Sequence, residues 1–428
     1  MTSETGQTGF PRLRLRDGGA RLLDLPWELP LAQWPSTTLR FRDLPVGPSR
    51  HLVRFLVLDG RTYALKEEPG RVAASEFDVL RRLEVAGLPA VTAVALADSA
   101  EGDVGILATE YLAYSIQYRR LLMRFPLGPG PYRDRLLDAM ASLLVDLHRA
   151  GVYWGDCSLA NTLFRRDGDK IQAYLVDAET SEIHPSLSDG QRAFDLEILV
   201  ENVGFGLADL GAMQGRADAF EDAVEAAETV RTRYNRLWDE LHLEPELPPD
   251  DRHAVRARIR RLNDLGFAVD EISLEPTSGG DALRMRVAVA SRRFHARELQ
   301  RLTGLVALEG QARILLNDLR EYQAWLEYQG GTTVAIDAAA DLWIHDVLQP
   351  SLATLAPAIG PARDPLQAYC DVLEQKWLLS EAAGRDVGLE TAFDAYLALG
   401  APAPEDATAE SSIALDIDWS GGFDGGVD

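Results

Sequence analysis

The stretch Val152-Tyr-Trp-Gly-Asp-Cys-Ser-Leu-Ala-Asn-Thr-Leu-Phe164 places Asp156 after a glycine and, after four intervening residues, Asn161. Downstream, Tyr174-Leu-Val-Asp-Ala-Glu179 carries Asp177 at the end of the apolar run Ile171 to Val176. A short apolar run bounded by polar residues reads as a buried strand. Asp177 therefore stands at a strand end. Asp156 and Asn161 occupy a loop after an amphipathic helix, Tyr132 to Ala150, that stops at Gly151. Phosphoryl transfer from a nucleotide needs an acceptor for the hydroxyl proton, hard oxygen ligands for magnesium, and positive charge on the phosphates. Asp156 suits the first requirement, Asn161 and Asp177 the second.

Working upstream, Thr38 to Glu67 has a strand pattern: Leu39 and Phe41, then Leu52 to Leu58, the turn Asp59-Gly60, and Thr62 to Leu65. Asp-Gly between apolar runs signals a hairpin. The second run ends in Tyr63-Ala-Leu-Lys66. Lysine is scarce here, only Lys66, Lys170 and Lys376 among 43 basic residues, so each survivor of this bias toward arginine invites a question about its role. The helix Val72 to Val85 follows and presents Glu76. A strand lysine fixed by a helix glutamate can hold nucleotide phosphates. Val91 to Leu96 and Val104 to Leu112 read as two more strands.

These five polar groups, in this order, resemble the protein-kinase-like superfamily, especially its small-molecule and lipopolysaccharide-kinase-like branches. The resemblance covers about Thr38 to Leu210. It implies a two-lobed α+β fold, ATP and Mg2+ as cofactors, and defined site residues. Lys66, Asp156 and Asp177 would be catalytic. Lys66, Glu76, Asn161 and Asp177 would bind the nucleotide together with the hinge Thr109-Glu-Tyr-Leu112, where backbone at Glu110 and Leu112 meets adenine. Asn161 and Asp177 would hold the metal, and Asp195 in Phe194-Asp195-Leu196 would brace the loop around Asp156. The whole chain looks like bacterial proteins that pair such a region with a C-terminal domain of unknown function.

Several motifs depart from the pattern. Leu44-Pro-Val-Gly-Pro-Ser-Arg-His51 replaces a glycine-rich loop, leaving Ser49, Arg50 or backbone amides to meet phosphate. Trp154-Gly155 precedes the loop aspartate, and Ala-Glu follows Asp177. Regulated protein phosphorylation fits less well than action on a sugar, a lipopolysaccharide-like glycan or a metabolite. Other nucleotide folds lack support: no lysine follows a glycine, so there is no Walker A loop, and Gly204-Phe-Gly206 follows a helical pattern instead of a strand. His148 reads as a cation near a helix end ahead of a catalytic group, Cys157 as a small packed residue ahead of a reactive thiol, and Glu179 and Glu182 as a solvated acidic loop ahead of a role in assisting a metal or recognising a positively charged acceptor.

The chain has 428 residues, 46% hydrophobic and 26% charged, which predicts more than one globular domain. The expected division is an arm over 1–20, a kinase-like domain over 21–246 with its small lobe ending near 112, a smaller mixed α+β and helical domain over 250–400, and an acidic tail over 401–428. The N-terminus has no apolar leader and no run is long enough to span a membrane, so a cytoplasmic protein is expected. A net charge of -24 argues against general nucleic-acid binding. Residues 251–301 nevertheless hold eleven arginines against seven acids. That stretch is read three ways: a site for an anionic ligand or protein, a surface docked on the acidic kinase-like domain, or a solvated helix face. The leading functional expectation is an ATP- and Mg2+-dependent phosphotransferase acting on a hydroxyl. The alternative is a catalytically inactive nucleotide-binding regulator that binds a partner through its C-terminal domain.

Overall fold

The computed structural model describes residues 12–16, 19–44, 50–98, 103–124, 128–216, 219–248, 251–277, 282–361 and 363–402. The expected acidic tail, apart from its first two residues, and Ser49 lie outside them. The protein is α+β. It divides into one unit of Met1–Arg119, Met140–Phe164 and Ala173–Arg231, and a second of Arg120–Ala139, Arg165–Gln172 and Thr232–Asp428.

In the first unit a six-stranded antiparallel sheet is built from β1 (Arg12–Leu15), β2 (Arg40–Arg42), β3 (Leu52–Leu58), β4 (Arg61–Glu68), β5 (Ala93–Asp98) and β6 (Gly105–Glu110), in the order β1-β5-β6-β4-β3-β2. Asp59 and Gly60 both take positive φ, 49° and 76°, as a tight two-residue hairpin requires. The helix α1 (Gly70–Val85), between β4 and β5, packs on β5 and β6 and buries Ala73, Phe77, Leu80 and Leu83. A second apolar cluster of the sheet includes Leu22, Trp27, Leu31 and Trp34, the two indoles meeting edge to face at 5.3 Å. Each indole N–H donates to a backbone carbonyl, Trp27 to Leu22 and Trp34 to Leu29.

The arm expected over residues 1–20 needs correction. Residues 12–15 form the edge strand β1, paired with β5 from Arg12↔Asp98 to Leu15↔Ala95. Its arginines bind acids on neighbouring elements: Arg12 to Asp98, Arg14 to Asp78 and Arg16 to Glu84. Backbone pairing outweighs the polar composition that suggested a loose segment.

After the sheet come β7 (Ile116–Gln117), α2 (Tyr118–Arg124), α3 (Pro131–Arg149), β8 (Val152–Tyr153), the hairpin β9 (Thr162–Asp167) and β10 (Lys170–Leu175), then β11 (Glu182–Ile183), α4 (Asp189–Met213) and α5 (Ala219–His242). A capping box at Ser188 and Gln191 starts α4. Gly204 within it faces Ala227 of α5, which supports helix packing at the Gly204-Phe-Gly206 motif.

The second unit contains β12 (Glu246–Leu247), α6 (Arg252–Asp264), β13 (Phe267–Pro276) and β14 (Leu283–Arg292), in a sheet ordered β12-β14-β13. Then follow α7 (Phe294–Thr303), α8 (Glu309–Gly330), α9 (Ile336–Trp343), α10 (Gln349–Ile359), α11 (Pro365–Ala383) and α12 (Gly388–Ala398). Their shared core includes Leu299, Leu315, Leu319, Trp343, Leu355 and Tyr369. Within it, the Trp343 indole and the Tyr369 hydroxyl both donate to Asp318 at 2.8 Å.

The break expected at residues 246–250 is not where the units divide. Thr232 onward already belongs to the second unit, and Glu246 pairs with Arg284 by backbone register and by an ion contact of 3.0 Å. Four of the eleven arginines in the arginine-rich stretch, Arg258, Arg261, Arg284 and Arg286, are paired with acids of this preceding segment. Arg258 and Arg261 bind Glu240, and Arg286 binds Glu244 and Glu275. Arg252, Arg256 and Arg260 stay exposed on α6.

Gly151 ends the turn after α3 with φ +76°, and a Cβ there would collide with the carbonyl of His184, just after β11. Gly151→Ala combines left-handed strain with that collision. We expect a stability loss of about 2 kcal/mol or more, read as a lower denaturation midpoint.

Candidate functional site

Lys66 lies on β4, whose alternation turns Lys66 and Glu68 to the same face. The Nζ of Lys66 is 2.9 Å from Glu76 on α1, 3.0 Å from Asp177 after β10, 2.8 Å from Glu68 and 3.5 Å from Glu179. One ammonium therefore meets four carboxylates. The second Glu76 oxygen accepts the Ala178 N–H at 3.1 Å, tying α1 to the segment after Asp177. Burial pulls Lys66 down, but Glu76, Asp177 and Glu68 outweigh it and hold the ammonium above its ordinary range. Glu76 is pushed upward by burial, pulled back by Lys66, and pushed up again by Glu68 and Asp177. Burial is the larger cause, and the carboxylates in excess of the one cation add to it.

The loop carrying Asp156 is set by Asp195 of α4. That wholly buried carboxylate accepts hydrogen bonds from the Trp154 N–H at 2.7 Å, the Gly155 N–H at 2.8 Å and the Cys157 thiol at 3.1 Å, and meets His148 Nε2 at 3.0 Å. Burial alone would raise Asp195, yet the bonds from His148, Trp154 and Gly155 hold it below the usual range. Gly155 has φ +80° and its Cβ position is closed by the Thr180 carbonyl, which explains glycine directly before Asp156. The buried indole of Trp154 fills the core under the loop.

Asn161 Nδ2 donates to Asp156 Oδ2 at 2.8 Å and to the Asp156 carbonyl at 3.1 Å. The Val176 N–H donates to the Asn161 carbonyl at 3.1 Å, bringing the end of β10 beside the loop. With the amide nitrogen committed to Asp156, Asn161 keeps Oδ1 as its remaining side-chain donor, and Asp177 keeps Oδ2, since Lys66 and the Glu179 N–H both address Oδ1. Two hard oxygen donors are what Mg2+ requires of a protein that shares it with phosphates and water. At the hinge, the Glu110 and Tyr111 N–H groups bond to Thr92 and Thr62 carbonyls, while the Leu112 N–H makes no hydrogen bond among the described residues.

Lys66, Glu76, Asp156, Asn161 and Asp177 are brought together in one unit. Two expectations change, those for Glu179 and His148. Glu179 is not a solvated loop residue, because it contacts both Lys66 and His51, the latter at 3.1 Å. Glu182 does remain at the surface. His148 is no helix-end cation: burial lowers it and Arg192 adds to that, against the pull of Asp195, so it acts as a neutral hydrogen-bonding partner. Cys157 is buried, and burial followed by Asp195 raises its thiol well above the ordinary value, which leaves it unreactive. Glu68 and His51 also join the cluster, Glu68 against Lys66 and His51 against Glu179, beyond the residues that the sequence singles out. The period-2 spacing from Lys66 to Glu68 was the available signal for Glu68; a lone histidine before a strand carries none.

Residues 61–213 match the lipopolysaccharide kinase (Kdo/WaaP) family, and residues 236–399 match a domain of unknown function, DUF4032. Lys66, Glu76, Glu110, Leu112, Asp156, Asn161, Asp177 and Asp195 all fall in the first match. The chain thus pairs a lipopolysaccharide-kinase-like region with a C-terminal domain of unknown function. It is 27% identical over 148 residues to the lipopolysaccharide core heptose(I) kinase WaaP of Pseudomonas aeruginosa, covering 32% of this chain and 54% of that protein. The chain therefore spans about half the length of that relative. Among solved structures, it is similar to WaaP in complex with acyl carrier protein, at 23% identity and TM-score 0.36 over 59% of this chain and 98% of that one. An aminoglycoside-3'-phosphotransferase of type VIII is similar at 17% identity and TM-score 0.34, over 49% of this chain and 89% of that one. Among the described residues, no helix is long and apolar enough to cross a membrane.

The His148–Asp195 pair generates a pH dependence. His148 titrates lower in the folded protein than in the unfolded chain, so below about pH 6.5 the unfolded chain binds the extra proton and stability falls as pH drops. We expect urea midpoints to fall more steeply between pH 7 and pH 5 in the wild type than in His148→Gln. Equal slopes would remove His148 as the source.

Proposed function

We propose that this chain is an ATP- and Mg2+-dependent phosphotransferase acting on a hydroxyl group of a sugar, a lipopolysaccharide-like glycan or a small metabolite, in the cytoplasm where ATP is available. The observation that carries the reading is the gathering of Lys66, Glu76 and Asp177 beside the Asp156–Asn161 pair, with 2.9 Å from Lys66 to Glu76 and 2.8 Å from Asn161 to Asp156. The named relative is a kinase for a heptose of the lipopolysaccharide core. A sugar hydroxyl is accordingly the first acceptor class to test.

In this reading Lys66 places its ammonium on the phosphates, with Glu76 fixing its direction. Glu110 and Leu112 offer backbone groups to adenine. Asn161 and Asp177 would hold Mg2+, which supplies charge neutralisation at the transferring phosphoryl group. Asp156 orients the attacking hydroxyl and accepts its proton, while Asn161 fixes the Asp156 rotamer by occupying Oδ2. Asp195 acts through the loop backbone. In the second unit, the exposed row Arg252, Arg256 and Arg260 is the face suited to an anionic ligand or protein.

Two variants separate binding from chemistry. Asp156→Ala is expected to keep ATP affinity within a few-fold while lowering turnover by about two to four orders of magnitude. Retained turnover would dismiss Asp156 as the base, and ATP binding without any phosphate release or transfer by the wild type would favour the non-catalytic alternative. Lys66→Arg is expected to impair nucleotide use almost as much as Lys66→Ala. The compact ammonium sits among Glu68, Glu76, Asp177 and Glu179, where a planar guanidinium cannot reproduce its contacts. Calorimetric titration with ATP in the presence of Mg2+ measures this directly.

A further inference from the structure

The phosphotransferase reading leaves two of the four carboxylates around Lys66 without a task. It uses Glu76 to orient the lysine and Asp177 to hold metal, but not Glu68 or Glu179. Glu68 is the more demanding of the two. Its side chain is wholly buried, and among the described residues neither of its oxygens accepts a well-formed hydrogen bond. Its one compensation is the 2.8 Å ion contact from Oε2 to Lys66, an ammonium it shares with three other carboxylates. Oε1 has no counterpart among the described residues. A buried carboxylate normally has its lone pairs satisfied or coordinates a metal.

The groups facing Glu68 indicate what is missing. His51, just before β3, lies 3.1 Å through Nε2 from Glu179 Oε2. One ligand atom each from His51, Glu68 and Glu179 can be chosen so that all lie within 4.8 Å of one another. All three residues belong to the same unit, on β4, beside β3 and after β10. Resting on the nucleotide reading above, we propose that His51, Glu68 and Glu179 form a second divalent-cation site, distinct from the oxygen pair of Asn161 and Asp177. The donor set is one imidazole nitrogen and two carboxylate oxygens. This mixture suits Mn2+, Fe2+ or Zn2+ better than Mg2+, which prefers oxygen alone. Water or phosphate oxygens complete the coordination.

Charge supplies the reason for such a site. Four carboxylates surround a single lysine, and a triphosphate adds further negative charge to the same place. A cation at His51, Glu68 and Glu179 neutralises the two carboxylates that Lys66 now serves alongside Glu76 and Asp177. The ammonium is then released from two of its contacts and has capacity for phosphate. The second cation thereby prepares the pocket for the nucleotide.

Mn2+ titration of the full-length protein without nucleotide tests the site. Free metal is followed by its electron paramagnetic resonance signal, and bound metal by pulsed measurement of nitrogen coupling. Asn161 and Asp177 contribute only oxygen, so imidazole coupling reports on the histidine site alone. The expected result is a nitrogen-coupled Mn2+ in the wild type that disappears in His51→Gln, with Mn2+ affinity reduced about tenfold or more in Glu179→Gln. His51 is partly exposed, and an unchanged circular dichroism melt of His51→Gln will show that the loss is not unfolding. Absence of nitrogen coupling in the wild type, or coupling that survives His51→Gln, overturns the site. ATP binding measured on the same samples keeps the two readings apart. Nitrogen-coupled Mn2+ without ATP binding supports the site while removing the nucleotide reading. ATP binding without nitrogen coupling overturns the site and leaves that reading in place.

Discussion

One ammonium group, on Lys66, is enclosed by the carboxylates of Glu68, Glu76, Asp177 and Glu179 with only 14% of its side chain exposed. Three separate parts of the chain converge on it: β4, α1 and the segment after β10. A buried ion pair is a weak source of stability, because desolvation of the charges offsets most of their attraction, and apolar residues in the same space are often as stable. Removing one partner is another matter and costs about 3 to 5 kcal/mol, since the rest are left buried and uncompensated. A cluster this charged is therefore poorly explained by folding alone. Its negative excess favours cations.

The opposite economy operates at Asp195. There a single carboxylate is satisfied by two backbone N–H groups, a thiol and an imidazole, all within 3.1 Å. Each bond goes to α3, to the loop after β8, or to the reversal at Gly155, so Asp195 fixes backbone instead of offering itself to ligand. The contrast between the two carboxylate environments separates positioning from chemistry. Four donors converge on Asp195, whereas among the described residues Glu68 meets only the shared ammonium of Lys66.

The second unit shows how far a short segment can be drawn from its sequence neighbours. The tip of the β9–β10 hairpin, residues 165–172, groups with the C-terminal helices. Asp167 accepts the Gln311 N–H at the start of α8, and Gly168 exchanges hydrogen bonds of 2.8 and 2.9 Å with Gln367 of α11. Burial pushes Asp167 up to about 6 against the hydrogen bonds from Gly310 and Gln311. These contacts depend on two glycines, Gly168 and Gly310, whose missing side chains permit the close backbone approach.

The order and type of the elements were legible in the sequence because their signals are local. Asp59-Gly60 specifies a tight reversal through backbone preference, and apolar spacing distinguishes β3 and β4 from α1 and α3. Lys66, Glu76, Asp156, Asn161 and Asp177 could be named because each stands at a strand, helix or loop position where its chemistry has a use. Local signals end there. The pairing of Arg12–Leu15 with β5 crosses more than 80 residues, and backbone hydrogen bonding is available to almost any sequence, so composition misread that strand. Glu179 looked solvated because acidic residues in a loop usually are, and only the approach of β3 and β4 makes it a neighbour of His51 and Lys66. His148 had the position of a helix-end cation until burial beside Asp195 decided its charge. Residue types and their order are written along the chain, whereas burial, charge balance and the sharing of one cation among distant carboxylates arise only when the chain is folded in three dimensions.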